Sequence, residues 1–349
     1  MPSRHDLDRA ALATLLADEP RYRIDQLWDG LYRRALDPED ITELPRSLRT
    51  RLAAEPALAP ALTLDAERAS DRGTTVKWLW RLSDGARVET VLMHYPGRST
   101  VCVSTQAGCA MACGFCATGQ AGFERHLTSG EIVEQVIRAV RAASASERRV
   151  SNVVFMGMGE PLANYDRVWG AVERLHGEMG LSARHLTVST VGIVPGINRL
   201  AREDLPVNLA VSLHAANDVL RDELVPINRR YPLTTLVAAC EAYVAAKGRR
   251  LSIEWALIDG TNDRPSDAAE LAAIACRLRA HVNLIPLNPT PGWPTRGTSA
   301  AGVRRFRDRL VDLGVNATVR QNRGTEIDAA CGQLAGTVSS TEVRLTSRG

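Results

Sequence analysis

The amino-acid sequence predicts an α/β protein whose largest part is a partial (βα)6 barrel. From residue 99 onward, short apolar runs rich in β-branched residues alternate with segments of helical periodicity. This alternation favours parallel strands joined by right-handed helical crossovers. About six such units occur, which is too few to close a barrel of eight strands. A small all-helical domain and a β-hairpin are predicted before the barrel.

The helical domain is predicted over residues 1–70. Leu27 and Leu31 keep helical spacing, and Pro45 starts a further short helix. Residues 55–64 contain two prolines and no helical stripe, which is typical of a linker. The domain carries ten Arg and thirteen Asp or Glu residues, a local net charge of −3 in a chain of formal charge +3. The remaining +6 lies in several basic clusters, which allow a polyanionic partner without requiring one.

The hairpin is predicted over residues 71–98, because two β-rich runs flank a Ser-Asp-Gly turn sequence. The barrel follows over 99–325, and a C-terminal segment covers 326–349. Barrel strands are expected at 100–104, 152–155, 185–189, 207–212, 251–257, 282–287 and 317–320. Barrel helices are expected at 129–144, 164–178, 196–202, 233–247, 266–279 and 300–313.

Composition argues against several classes of protein. A hydrophobic fraction of 45% suffices for a buried core. Charges occur throughout the first twenty residues, unlike in a secretory signal peptide. No run approaches the roughly 18 apolar residues of a membrane span, so no membrane partner is expected. Seven cysteines, an odd number, favour a reducing compartment, and we expect a cytoplasmic protein.

Cys109, Cys113 and Cys116 follow the first barrel strand with the spacing C-x3-C-x2-C. Electron-carrying cubane clusters bind four cysteines, so three thiolates leave one iron open to a small molecule. Structural zinc usually takes four ligands in two short pairs, whereas the nearest histidine after this run is His126. The spacing therefore favours an iron–sulfur cluster over zinc.

Small polar or acidic residues stand where four later barrel strands end. Active sites of such folds lie at the carboxyl ends of the strands. One such residue usually only caps a helix, but four successive instances favour a pocket for a polar cofactor. His214 alone could instead be a structural histidine. The predicted cofactor-binding residues are Gly159, Glu160, Ser189, Ser212, Leu213, His214 and Asn288.

From about residue 20 to 337 the chain resembles the RlmN/Cfr family of radical S-adenosylmethionine (SAM) methyltransferases. The resemblance rests on long motifs in order, among them VCVSTQAGCAMACGFCATGQAGF, VVFMGMGEPLANY, AVSLHAAND, NLIPLNPTPG and VRQNRGTEIDAACGQLAG. It implies a [4Fe-4S] cluster on the three cysteines, SAM on the open iron and two SAM molecules per turnover. It also implies a one-electron reductant such as flavodoxin or ferredoxin, and a helix-hairpin-helix-like N-terminal domain.

The resemblance implies methylation of carbon 2 of an adenosine in 23S rRNA, in the peptidyl-transferase centre, and of an adenosine beside the anticodon in tRNA. Carbon 2 lies between two electronegative nitrogens and cannot attack a methyl group as a nucleophile. In the family, a residue matching Cys331 first takes a methyl group from SAM and transfers it as a radical. Cys102 then matches the thiol that releases the RNA by forming a transient disulfide with Cys331. Glu89 matches the proton acceptor.

Three alternatives stay open from the sequence. Methylation of carbon 8 of the same adenosine, as in Cfr, would use the same residues. A radical SAM enzyme acting on a small molecule or a protein would leave Cys102 and Cys331 with structural roles. A non-catalytic RNA-binding protein would hold a structural metal at the cysteine run. Cys240 and Cys276 lie in predicted amphipathic helices and are expected in the core.

Overall fold

In the computed structural model, a ten-stranded sheet and the helices around it form the body of the protein. The structure describes residues 3–290, 292–321, 323–330, 332–334 and 336. The helices are α1 Arg9–Leu15, α2 Tyr22–Tyr32, α3 Arg46–Ala53, α4 Ala117–Ala121, α5 Ser129–Ser144, α6 Tyr165–Gly177, α7 Val194–Leu200, α8 Asp218–Leu224, α9 Leu233–Lys247, α10 Pro265–Leu278 and α11 Ala300–Asp312. None of the helices in these ranges is long and apolar enough to cross a membrane.

The strands are β1 Thr63–Ser70, β2 Thr75–Arg81, β3 Arg87–Tyr95, β4 Arg98–Cys102, β5 Gln106–Gly108, β6 Phe123–His126, β7 Val150–Phe155, β8 Leu186–Thr190, β9 Asn208–Ser212, β10 Ser252–Leu257, β11 His281–Pro286 and β12 Asn316–Val319. The main sheet has the order β1-β2-β3-β4-β7-β8-β9-β10-β11-β12. From β4 to β12 all neighbours are parallel, whereas β1 to β4 are antiparallel. Six helical crossovers thus join seven parallel strands, and the predicted partial (βα)6 barrel is confirmed.

The parallel strands are buried between the cavity side and the surrounding helices, which explains their apolar sequences. Val153 and Phe155 of β7 have no exposed surface. Trp255 of β10 is also fully buried, and its ring stacks on Phe306 of α11 with 6.2 Å between centroids. Such contacts fix each helix against the strand that it covers, and the strand ends are held in a common plane.

The N-terminal helices pack on the outer face of α5 through a buried polar cluster. The guanidinium of Arg141 in α5 lies 2.7 Å from the carboxylate of Asp37, and that of Arg4 lies 2.6 Å from it. Partial burial opposes ionisation of Asp37, but the hydrogen bonds and charges of these arginines prevail and lower its pKa to about 2. Glu134 of α5 also accepts a hydrogen bond of 2.8 Å from the amide of Ala61.

Several elements were not predicted from the sequence, among them α4 and the paired strands β5 and β6. Strand β1, Thr63–Ser70, lies partly in the expected linker and within the expected helical domain, and it pairs antiparallel with β2. Most of its side chains are exposed or half-buried, so its sequence lacks the apolar alternation that identifies a strand. The short helix α8 was also not predicted; Asn217 caps it by accepting from the amide of Leu220. The domain boundaries themselves stay a prediction.

Candidate active site

A cavity opens at the carboxyl ends of the parallel strands, and the space between its wall atoms, together with open solvent at its mouth, is about 1320 Å³. The strands β4, β7, β8, β9, β10 and β11 or the loops that follow them all contribute to its wall. Among the predicted site residues, those that line it are Cys102, Cys113, Cys116, Gly159, Glu160, Ser189, Ser212 and His214. Cys109, Leu213, Asn288 and Glu89 are described but do not line it. Cys331 lies outside the described residues.

The cysteine loop is held in a tight curve by its glycines. A Cβ atom on Gly108, whose φ is +71°, would lie 2.0 Å from the carbonyl oxygen of Gly122. The amide of Cys109 donates to that same oxygen at 2.6 Å. A Cβ atom on Gly119 would lie 2.7 Å from the carbonyl oxygen of Cys113. These close approaches bring the start of α4 back over the loop.

The three thiols of this loop are free, and they affect one another's ionisation. Burial raises the pKa of Cys109 to about 12, and the nearby charges of Glu160 and Cys116 act in the same direction. Burial raises the pKa of Cys113 as well. At neutral pH Cys109 and Cys113 therefore need a cationic metal centre to become thiolates.

The donor set fits a cluster better than a single ion. Within the ranges that the structure describes, no three His, Cys, Asp or Glu side chains are placed to share one metal ion. Thiolates of a cubane cluster need not converge on one point, because each binds its own iron. Cys109, Cys113 and Cys116 could hold such a cluster, and the polar strand ends beside them could hold a small molecule on it.

The loop after β7 contains glycines that approach neighbouring backbone. A Cβ atom on Gly157 would lie 2.7 Å from the carbonyl oxygen of Val103, and one on Gly159 would lie 2.5 Å from Cβ of Gln106. The close approach of both glycines is thus to the segment after β4. Gly159, one of the predicted cofactor-binding residues, also lines the cavity.

Glu160 follows this loop and is 2% exposed. Its carboxylate accepts from the amide of Leu162 at 2.9 Å and from that of Val191 at 2.8 Å. Burial raises its pKa to about 7, against the opposing effect of these hydrogen bonds. Near neutral pH this side chain can therefore be either an acid or an acceptor for an ammonium group.

Ser189 and Ser212 end two adjacent strands, β8 and β9, and their hydroxyl oxygens lie 3.4 Å apart. On the neighbouring strand β10, Glu254 also lines the cavity and accepts from Asn283 at 2.8 Å. Burial raises the pKa of Glu254. One side of the cavity thus presents hydroxyl and carboxyl groups to a polar ligand.

His214 is 6% exposed and has a φ of +61°, an unusual backbone conformation for histidine. Its Nδ1 accepts a hydrogen bond of 3.0 Å from the amide of Ala256, so the proton of the neutral ring is on Nε2. Burial lowers the pKa of His214 to about 3, with a further contribution from the charge of Arg221. The ring also packs edge-on against Phe115, with 4.9 Å between centroids. It is therefore a neutral hydrogen-bond donor.

Arg221 of α8 supports the site and was missed by the sequence reasoning. It has no exposed surface, and its guanidinium donates to the carbonyl oxygens of Leu213 at 3.1 Å and Val191 at 2.6 Å. It also donates to Oδ1 of Asn228 at 2.7 Å. Arg221 thereby joins the loops after β8 and β9. Its sequence context, Leu-Arg-Asp-Glu-Leu, is typical of an exposed helix and contains no signal of this role.

Glu89 lies on β3 and is 1% exposed. Alternate residues of a strand share a face, and Val91, Met93 and Tyr95 on the face of Glu89 line the cavity. In the neighbouring strand, Cys102 pairs with Val91 and also lines the cavity. Glu89 and Cys102 are thus on adjacent strands, and Glu89 shares a strand face with residues that line the cavity.

The C-terminal segment returns to this cavity. The amide of Ala117, which directly follows Cys116, donates to the carbonyl oxygen of Gly332 at 2.8 Å. Thr118 donates to the carbonyl oxygen of Leu334 at 2.6 Å. The described residues of the segment that line the cavity are Ala329, Ala330, Gly332 and Leu334, and Arg320, Gln321 and Arg323 line it just before the segment begins. Both chain neighbours of Cys331 are therefore cavity residues.

Cys240 and Cys276 are both predicted to lie in the core, but their burial differs. Cys240 is 1% exposed, as predicted. Cys276 is exposed, and its thiol donates to the carbonyl oxygen of Leu313 at 3.7 Å. The prediction was wrong for Cys276 because the buried stripe of α10 passes through Ala272 and Ala275 and leaves position 276 on the outer face.

The chain is similar to known proteins over nearly its whole length. A family model described as the radical SAM superfamily matches residues 103–272. A probable dual-specificity RNA methyltransferase RlmN of Salinispora tropica is 52% identical, over 96% of this chain and 94% of the relative. One of Chloroflexus aurantiacus is 52% identical over 95% of this chain and 92% of the relative. The crystal structure of a radical SAM methyltransferase from Sphaerobacter thermophilus has a TM-score of 0.93 at 50% identity, covering 97% of this chain and 100% of that one.

Proposed function

Because the chain belongs to the RlmN family of radical SAM RNA methyltransferases, we propose that it methylates carbon 2 of an adenosine in 23S rRNA, in the peptidyl-transferase centre. An adenosine beside the anticodon of tRNA is the second proposed substrate. Such substrates imply a cytoplasmic enzyme. We propose flavodoxin or ferredoxin as its one-electron reductant.

One observation carries the proposal beyond the superfamily. Ala330 and Gly332, the chain neighbours of Cys331, line the same cavity as Cys102, Cys113 and Cys116. A radical SAM enzyme that only cleaves SAM has no need of further thiols at this place. A methyl-carrying cysteine has to reach the reacting carbon, and a resolving cysteine has to reach the sulfur of that first cysteine.

We assign the [4Fe-4S] cluster to Cys109, Cys113 and Cys116. When bound, it supplies the electron that generates an organic radical from SAM, which is the chemistry that an electron-poor carbon requires. Two SAM molecules are used in each turnover, one as methyl donor and one as radical source. The residues assigned to SAM binding are Gly159, Glu160, Ser189, Ser212, Leu213, His214 and Asn288, of which Glu160 accepts from the methionine amino group.

The other assigned residues act on the methyl group and on the adenine. The Cys331 thiolate displaces the methyl group from the SAM sulfonium, which forms S-methylcysteine and S-adenosylhomocysteine. The radical derived from SAM would take a hydrogen atom from the S-methyl group, and the resulting methylene carbon would bond to carbon 2. The adduct then loses one electron, which a bound cluster would accept, and the carbon-2 proton, which Glu89 accepts. The Cys102 thiolate forms a disulfide with Cys331 as the carbon–sulfur bond breaks, and the released carbon takes up one proton to become the methyl group. The external reductant restores both thiols.

Nucleoside analysis after anaerobic reaction tests the proposal. The reconstituted protein is incubated with SAM, a one-electron reductant and either an rRNA fragment or tRNA, and the digested RNA is analysed by mass spectrometry. We expect 2-methyladenosine from both RNAs, and none with Cys331→Ala. If 8-methyladenosine is the only product, the chain is a carbon-8 methyltransferase of the Cfr type. Turnover of a non-RNA substrate by Cys331→Ala would instead indicate an unrelated radical reaction.

A further inference from the structure

Lysine is rare in this chain. Of its 43 lysine and arginine residues, only Lys77 and Lys247 are lysines. Lys247 ends α9, donates to the backbone oxygen of Glu203 and does not line the cavity. Lys77 lies in β2 and is 8% exposed. A buried ammonium group is costly unless its donors are satisfied, so its partners matter.

Lys77 joins two parts of the proposed active site. Its Nζ lies 3.4 Å from Oε1 of Glu89 and donates to the backbone oxygen of Asp328 at 3.1 Å. The register of β2 and β3 places Lys77 opposite Val91, so Lys77 and Glu89 are diagonal neighbours on one face of the hairpin. Asp328 stands three positions before Cys331. One cation therefore contacts both the proposed base and the segment that carries the methyl-accepting cysteine.

The backbone at this contact is unusual. Asp328 has a φ of +52°, a conformation rare for residues other than glycine. Further contacts anchor the chain just before the segment, since the amide of Gly324 donates to Asp71 at 3.1 Å and Arg323 donates to the backbone oxygen of His94 at 2.9 Å. Among these hairpin contacts, that of Lys77 with Asp328 is nearest in sequence to Cys331.

We propose that Lys77 is a positioning residue. Its ammonium group holds the Glu89 side chain in place through the contact at Oε1 and fixes the segment at the cavity through the backbone oxygen of Asp328. A compact ammonium can direct separate donors to a carboxylate and to a carbonyl oxygen, whereas a planar guanidinium has a fixed fork. The inference rests on the proposed function for the roles of Glu89 and Cys331. The contact between hairpin and segment does not depend on it.

Four variants separate this role from general stability. Lys77→Met removes the charge at similar length, Lys77→Arg retains it, and Lys247→Met removes the other lysine as a matched control. The double variant Lys77→Met with Glu89→Gln leaves no buried charge unpaired, so it folds even if the single variant does not. Amide hydrogen exchange of residues 323–334 and steady-state kinetics on RNA are measured for each.

For Lys77→Met we expect amide exchange of the segment to rise at least tenfold. We expect kcat to fall at least tenfold with KM for RNA unchanged, and Lys77→Arg to recover part of the loss. The double variant should show the same rise in exchange, and Lys247→Met should match the wild type. Unchanged exchange in Lys77→Met and the double variant, or an equal loss of kcat in Lys247→Met, overturns the proposal. If the wild type methylates neither RNA, the proposed function fails, and exchange alone decides whether Lys77 anchors the segment.

Discussion

The proposed contact of Glu160 with the amino group of SAM should depend on pH, because the pKa of Glu160 lies near the middle of the physiological range. Its pKa of about 7 is raised by burial, so lowering the pH protonates the carboxylate and removes the acceptor for the methionine amino group. We expect SAM affinity of the reconstituted protein to fall roughly tenfold from pH 8 to pH 6, as a single titration with this pKa requires.

Equilibrium dialysis at pH 6, 7 and 8 measures this dependence. 5′-Methylthioadenosine lacks the amino group, so its binding should change little over the same range. Equal affinity for SAM at pH 6 and pH 8 would show that Glu160 does not accept from the ligand.

His214 is fixed by its backbone and by one hydrogen bond. An asparagine at this position can accept from the amide of Ala256 and tolerates a positive φ, whereas phenylalanine can do neither. Leaving that buried amide unsatisfied costs about 1–3 kcal/mol. We therefore expect His214→Phe to lower the free energy of unfolding by about that amount and His214→Asn to lower it less. Denaturant unfolding of the two variants compares them, and the opposite order would contradict the assigned role of Nδ1.

At the level of elements, periodicity located the barrel but not its exposed additions. The parallel strands were predictable because they are buried on both faces and read as apolar runs, as in β7 and β10. Strand β1 was missed because it is a polar edge strand whose pairing with β2 is made by backbone groups. Helix α8 was missed because only Arg221 and Leu224 of its residues are buried, so its sequence lacks an apolar helical stripe.

The docking of the N-terminal helices on α5 depends on Asp37. The pKa of Asp37 is lowered to about 2, so its stabilising effect is fully present at neutral pH and is lost as the pH falls towards 2. We expect Asp37→Asn to lower the free energy of unfolding by roughly 2 kcal/mol at pH 7. The difference from the wild type should shrink below pH 3.

Thermal or denaturant unfolding of Asp37→Asn and of the wild type, at pH 7 and below pH 3, measures this effect. Glu241→Gln is a matched control, since Glu241 makes a similar two-point contact with Arg277 on the surface. Because solvent screens this exposed ion pair, Glu241→Gln should have the same free energy of unfolding as the wild type. An equally small effect of Asp37→Asn would mean that apolar packing alone holds the helices in place.

On the scale of the whole molecule, the candidate site combines residues that are far apart in sequence. The order of the strands explains why Ser189 and Ser212 meet, because parallel strands end at one edge. Contacts such as Arg221 with the loops, or Lys77 with the C-terminal segment, depend on side-chain directions that no periodic pattern encodes. The resemblance to the family identified the thiols of the site. The supporting cations, Arg221 and Lys77, could be identified only from the structure.

The distribution of charge predicts where RNA binds. The helical part carries a net charge of −3 over residues 1–70, and the rest of the chain carries +6. At the cavity, Arg98 and Arg323 lie over the ring of Tyr95, at 4.9 and 4.3 Å from its centroid. Arg323 also donates to the backbone oxygen of His94, whereas Arg98 is exposed. Arg98 is therefore the cation of this group best placed to contact a phosphate.

We expect Arg98→Gln to weaken RNA binding and to reduce the slope of log affinity against log salt by about one, as the loss of one phosphate contact requires. SAM affinity should stay unchanged. Arg33→Gln is the matched control, because Arg33 is 72% exposed on the acidic helical part. Fluorescence anisotropy with a labelled rRNA fragment over a salt series measures both variants. An equal change of slope in Arg33→Gln would place the RNA across the helical part instead, where the local negative charge opposes the approach of phosphates.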